Sequence, residues 1–149
     1  MLKNMAANLE SNNKISREGD VEVATGAFIV QDGKLFLATG PKFHNEWTVP
    51  GGHVNFKENS KDCIEREVKE EIGVDVEAIE MFGITESTNR KIQGRDRHFI
   101  FINWKCKILN GEPKLDGKEL TKSTWMPLEQ VLTDPQVTES VKISLRKMK

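Results

Sequence analysis

Residues 52–74 read GHVNFKENSKDCIEREVKEEIGV, a glycine-led loop running into a helix that carries Glu67, Glu70 and Glu71. At about 100° per residue, side chains three and four apart share a face, so the three carboxylates occupy one continuous arc. With Ile64 as origin, Val68 and Ile72 fall about 40° and 80° to one side, and Glu71, Glu67 and Glu70 about 20°, 60° and 120° to the other. Glu71 therefore stands on the shoulder of the apolar stripe. Like charges at these spacings cost about 0.2–0.5 kcal/mol per pair on an exposed helix, and more where burial lowers the dielectric. A hard divalent cation such as Mg²⁺, which prefers carboxylate and water oxygens and shares its sites with phosphates, would compensate them. A solvated acidic face, with Arg66 neutralising Glu70 one turn on, has the same pattern.

The loop ahead of the helix narrows the choice. The run fits G-x5-E-x7-R-E-U-x-E-E-x-G-U, where U is bulky and aliphatic, through Gly52, Glu58, Arg66, Glu67, Val68, Glu70, Glu71, Gly73 and Val74. This is the Nudix box, and the chain resembles the Nudix hydrolases, which cleave a nucleoside diphosphate linked to a further group. The order of strands and helices over most of residues 20–149 also resembles that family. The resemblance implies an α/β fold, a Nudix-type α/β/α sandwich with a mixed central sheet. Relatives often carry Gly-Glu where this chain has Lys57-Glu58, and Glu where it has Asn55. Both departures concern the shape of the loop.

By resemblance, Glu67 and Glu71 bind the metal, Glu70 and Glu58 extend the ligand set, and Arg66 orients a neighbouring carboxylate. Mg²⁺ is the expected ion, with Mn²⁺ as a substitute. Gly51 and Gly52 would let backbone approach the diphosphate without a Cβ in the way. The general base, which many relatives take from a box glutamate or from a loop before a late Trp strand, is assigned here to Glu119, six residues ahead of Trp125. Phe43 and Trp47 are candidates to stack on a nucleobase, and Phe28 is either another or a core residue. Arg97, together with Lys42, Arg90, Lys91 and Arg95, could meet phosphates.

The rest of the chain frames that box. Its 149 residues make one ordinary domain, read as a flexible arm over 1–19 and a single domain over 20–149. With 22 basic and 23 acidic residues, it lacks the excess positive charge of a general nucleic-acid coat protein. Cys63 and Cys106 form no disulfide or zinc pattern. No run approaches 18 apolar residues, so the protein is expected to be cytoplasmic, away from membranes, and either monomeric or a homodimer.

Strands are predicted over 21–30 and 34–39 around an Asp32-Gly33 turn, over 77–85, over 98–109 and over 124–126. In the 98–109 strand Ile100, Ile102, Trp104, Cys106 and Ile108 share a face. Residues 86–97, ESTNRKIQGRDR, read as a polar loop. Asn59 or Ser60 caps the box helix and Gly73 ends it. Pro127 opens a short helix, and Val137, Val141, Leu145 and Met148 stripe a last one.

The chain has no Tyr and no Pro between Pro50 and Pro113, so it lacks the residues that mark many dinucleoside polyphosphate hydrolases and ADP-ribose pyrophosphatases. The resemblance thus favours a small-molecule nucleotide substrate, a nucleoside triphosphate or nucleotide sugar. ADP-ribose or another dinucleotide is the alternative within the family. A nucleotide-sensing module without turnover, and RNA 5′-end processing, are alternatives of other classes.

Overall fold

Strand β1 (Val21–Gln31) is buried on both faces from Ala24 to Ile29, the signature of a strand inside a sheet with helices on either side. The computed structural model describes residues 19–148, so the predicted arm over 1–19 lies, apart from Gly19, outside the described residues. Strand β1 pairs in parallel with β5 (Arg95–Asn110), from Val21 opposite His98 to Ile29 opposite Cys106. Its other edge meets β3 (Gly51–His53) and then β2 (Lys34–Thr39), both antiparallel. Asp32 and Gly33 make the tight β1–β2 turn with φ of 52° and 74°. Strand β4 (Asp75–Ile92) flanks β5 and β6 (Lys122–Pro127) flanks β2, giving a six-stranded mixed sheet in the order β4-β5-β1-β2-β6, with β3 on β1.

Helix α1 (Ser60–Ile72) covers one face of the sheet. Its Ile64, Val68 and Ile72 pack with Ala27, Ile29, Phe36 and Cys106. The other face carries α2 (Leu128–Thr133) and α3 (Glu139–Lys147), whose Val131, Val141 and Leu145 pack with Phe28, Leu35 and Leu37. The expected α/β/α layering is thus present. Among the described residues no helix is long and apolar enough to cross a membrane.

Trp104, Cys106 and Ile108 face α1, as the period of two predicts. The opposite face of β5 carries Phe99 and Asn103, both buried, and half-buried Phe101, although the sequence reading gave it no role. The predicted loop over 86–97 is a correction: these residues continue β4, turn at Gln93-Gly94 and begin β5. Ladder pairing supplies their order without a continuous apolar face. Arg90, Lys91 and Ile92 lie opposite Arg97, Asp96 and Arg95, and of this tip only Ile92 is buried, against Ala24 and Phe99. Helix α3 begins at Glu139, later than the predicted stripe, because Val137 forms a parallel bridge with Trp47.

The β4–β5 turn offers a clean test. Gln93 and Gly94 have φ of 53° and 75°, and a methyl group on Gly94 would touch nothing within 4 Å. Gly94→Ala should therefore cost only the left-handed penalty, about 1 kcal/mol, seen as a fall of about 2–4 °C in thermal melting. An unchanged melting temperature would contradict the turn.

Candidate active site

The box loop is seated by close approach. A Cβ on Gly51 would lie 1.9 Å from the Thr25 carbonyl oxygen, and one on Gly52 would lie 2.4 Å from Cδ of Glu67. Only glycines let β3 lie against β1 while α1 brings Glu67 under the loop, so their first requirement is internal and precedes any ligand. Helix α1 starts at Asn59, whose side chain accepts from Asp62 N at 2.8 Å, and stops at Gly73 in the left-handed conformation.

Arg66 ties loop to helix. Its Nε and Nη2 donate to the two oxygens of Glu58 at 2.8 and 2.9 Å, Nη1 donates to Glu67 at 2.8 Å and Glu70 at 3.3 Å, and Nη2 also donates to the His53 carbonyl at 3.2 Å. Such bidentate pairing fixes orientation as well as charge. The guanidinium beside Glu58 holds its carboxyl below the ordinary range, and Glu58 in turn keeps Arg66 protonated.

Glu67 and Glu71 are 5% and 8% exposed. Burial, reinforced by the Glu67 charge and partly offset by Gly51 N donating to Glu71 Oε1 at 3.1 Å, pushes the Glu71 carboxyl up to about 8. Among the described residues no three His, Cys, Asp or Glu side chains are already gathered as a cation site. Glu58 places both oxygens on Arg66, and Glu70 is turned to the same guanidinium on the outer side of the helix. Glu67 and Glu71 nevertheless fit a hard divalent ion: they are buried, mutually repelling and oxygen-only, and Glu71 carries its charge at a cost that an added cation would remove. They would be the principal ligands.

Glu119 reaches the same cleft from the loop before β6. Asp116 Oδ1 accepts from the backbone N–H groups of Lys118, Glu119 and Leu120 at 3.0, 3.1 and 3.0 Å. The loop backs onto Gly40, where a Cβ would lie 1.7 Å from the Glu119 carbonyl oxygen. Glu119 lies 3.7 Å from Lys42, lines the cleft with Glu71, and adds to the negative potential on it.

The cleft holds about 310 Å³. Phe43 lies on it, with the Lys42 and Arg90 cations 5.0 and 5.6 Å from its ring centre. Arg97 also lines it, locked by two hydrogen bonds to buried Glu22 at 2.5 and 2.6 Å, with its guanidinium 5.1 Å from the Phe99 ring centre. His53 Nε2 meets Glu22 at 2.6 Å. Burial raises the Glu22 carboxyl, but bonds from Arg97 and His53 outweigh it and leave the group below its usual range. Phe28 is 2% exposed and serves both core and cleft wall.

Trp47 does not join the site. It packs against the core under α2 and α3 while its backbone bonds to Gln136 and Thr138. The sequence reading did not include Glu22, His53, Phe99, Phe101 or Asp116. The alternate residues of the 98–109 strand could have signalled Phe99 and Phe101, and the Asp116-Gly117 pair could have signalled the turn presenting Glu119.

Residues 21–146 match the family model of the NUDIX domain. The chain is 28% identical over 121 residues to Nudix hydrolase 8 of Arabidopsis thaliana, a match covering 78% of this chain but only 32% of that protein's length. It is 26% identical over 133 residues to the 8-oxo-dGTP diphosphatase of Escherichia coli K12, covering 86% of this chain and 98% of that one. A crystal structure of a MutT NUDIX hydrolase from Burkholderia pseudomallei superposes with a TM-score of 0.74 at 25% identity, covering 87% of this chain and 99% of that one.

Glu71 sets a pH signature for the metal-free protein. Between its ordinary value of 4.5 and about 8, the folded state keeps a proton that the unfolded state releases, so this group's contribution to stability falls as pH rises through that window. Glu71→Gln keeps an oxygen for Gly51 N and removes the charge. In chelator the variant should melt several degrees above wild type at pH 8, at about 2–4 °C per kcal/mol, with the gain fading by pH 5. A lower melting temperature at pH 8 would show that the carboxylate supports the fold.

Proposed function

The chain belongs to the Nudix hydrolase family, and on that premise we propose that it hydrolyses the pyrophosphate linkage of a nucleoside triphosphate or nucleotide sugar with Mg²⁺, or Mn²⁺ in its place. Enzymes of this family generally use a divalent metal. The observation that carries the proposal is the meeting in one cleft of buried Glu71, the Gly51-Gly52 strand, the cations Lys42, Arg90 and Arg97, and the aromatic rings of Phe43 and Phe99.

A bound divalent ion screens phosphate oxygens and acidifies water. The chain's own groups do the rest. Arg66 holds Glu67 in place, Arg90 and Arg97 receive phosphate oxygens, and Phe43 offers a flat face to the base. Glu119 takes the proton from the attacking water as its oxygen bonds to phosphorus and the bridging P–O bond breaks. Glu67, Glu70, Glu71 and Arg66 act as the ligand and positioning set around it. In this reading the protein works in the cytoplasm on a small nucleotide, as a monomer or a homodimer, and residues 20–149 form one domain.

The test is a product-chromatography screen over nucleoside triphosphates, nucleotide sugars, ADP-ribose and dinucleoside polyphosphates. Turnover should need Mg²⁺ and vanish in EDTA, and Glu67→Gln should lower kcat by about 100-fold or more, as for loss of one electrostatic stabiliser. Equal turnover in EDTA would sink the proposal. Glu119→Gln should cut kcat by a similar factor while leaving KM within about threefold, because the lost interaction belongs to the transition state. Near-wild-type kcat in that variant would return the base to the box glutamates.

A further inference from the structure

Asn103, on the face of β5 away from α1, is 2% exposed and lines the cleft. Its Nδ2 donates to Thr85 Oγ1 at 3.1 Å and to Ser144 Oγ at 3.0 Å. The Ser144 hydroxyl proton goes to the Ser140 carbonyl at 2.7 Å, so the 2.6 Å contact between Thr85 and Ser144 must use the Thr85 proton. Both hydroxyls then turn lone pairs toward Asn103. A reversed amide would need a second proton from Ser144, which has one. The network therefore fixes Nδ2 inward and leaves Oδ1 on the cleft side.

Oδ1 lies beside Gly26, 2.9 Å from where a Cβ on that residue would sit, and accepts no hydrogen bond from the described residues. Held in one direction by the network and not sealed among the buried unpartnered atoms, this oxygen is open to the cleft as an acceptor whose donor a ligand can supply. The surroundings suit a planar ligand, for Phe99 and Phe101 lie on the same face of β5, stacked with centres 5.1 Å apart and planes at 15°. A flat group bearing an edge N–H satisfies both features. We propose that Asn103 is a specificity-determining residue whose Oδ1 accepts a hydrogen bond from an N–H on the edge of the substrate's nucleobase, an inference that rests on the nucleotide reading of the cleft.

The experiment compares kcat/KM for triphosphates whose bases differ in one edge N–H: adenine against unsubstituted purine, guanine against hypoxanthine and N1-methylguanine, cytosine against 2-pyrimidinone, and uracil against N3-methyluracil. Wild type should favour the donor-bearing member of at least one pair by about tenfold or more, since its partner leaves Oδ1 buried and unpaired. Asn103→Leu, close in size, should bring that ratio to within about twofold. Ser144→Ala, which removes one acceptor and the proton order that fixes the amide, should relax it partway and guards against a leucine variant that fails to fold. A merely structural role would lower both members equally and leave the ratio standing. Metal-free calorimetric binding of the matching nucleoside monophosphates separates this inference from the hydrolase reading. A donor preference in binding that collapses in the variants upholds Asn103 even if nothing is hydrolysed. Absence of any donor preference in wild type, or a preference unchanged in the variants, overturns the inference.

Discussion

One guanidinium holds the site together. Arg66 bonds at once to Glu58 and the His53 carbonyl in the loop and to Glu67 and Glu70 on α1, so loop and helix cannot shift independently. Glycine at the two contact points seats the loop, the Gly51 N–H orients Glu71, and the arginine orients Glu58, Glu67 and Glu70. Lysine, a point charge without a planar fork, could not satisfy both sides.

The arrangement is tense by construction. Folding buries Glu67 and Glu71 side by side, and burial together with the Glu67 charge pushes the Glu71 carboxyl up, a shift that the Gly51 N–H offsets only in part. The hydrophobic contacts of Ile64, Val68 and Ile72 on the adjacent arc of α1 offset it. A helix with one arc sealed into a core and the next crowded with carboxylates gives up some stability to hold those groups together.

The parts of this architecture written in short-range spacing were legible in the sequence. Asn59, Gly73, the carboxylate arc of α1 and the Asp32-Gly33 turn all rest on residues a few positions apart, and the structure places them as the spacing implies. What escaped depends on register between distant strands. The Glu22–Arg97 pair exists only because Val21 stands opposite His98, and nothing near either residue announces it. The hairpin tip around Gln93 was hidden because most of its side chains face water, so pairing leaves no apolar alternation to detect. Trp47 shows the other failure: an aromatic residue in a loop carries no sign of which layer will receive it, and here a bridge to Val137 decides. Glu119 shares the cleft with Glu71 through a turn made by Asp116, a local signal that went unread.

The parallel pairing of β1 with β5 also governs when the cleft can exist. Its two strands join residues about seventy-five positions apart, as the Glu22–Arg97 bond does, and closing so long a loop is entropically slow compared with forming the β1–β2 or β4–β5 hairpins. During synthesis the box loop, α1 and the first hairpin emerge well before β5. The carboxylates of α1 can thus be in order on their helix while the aromatic wall is still unmade. Until β5 docks, β1 presents an unpaired edge with its apolar residues uncovered, and that interval is when the chain is most exposed to pairing with another strand.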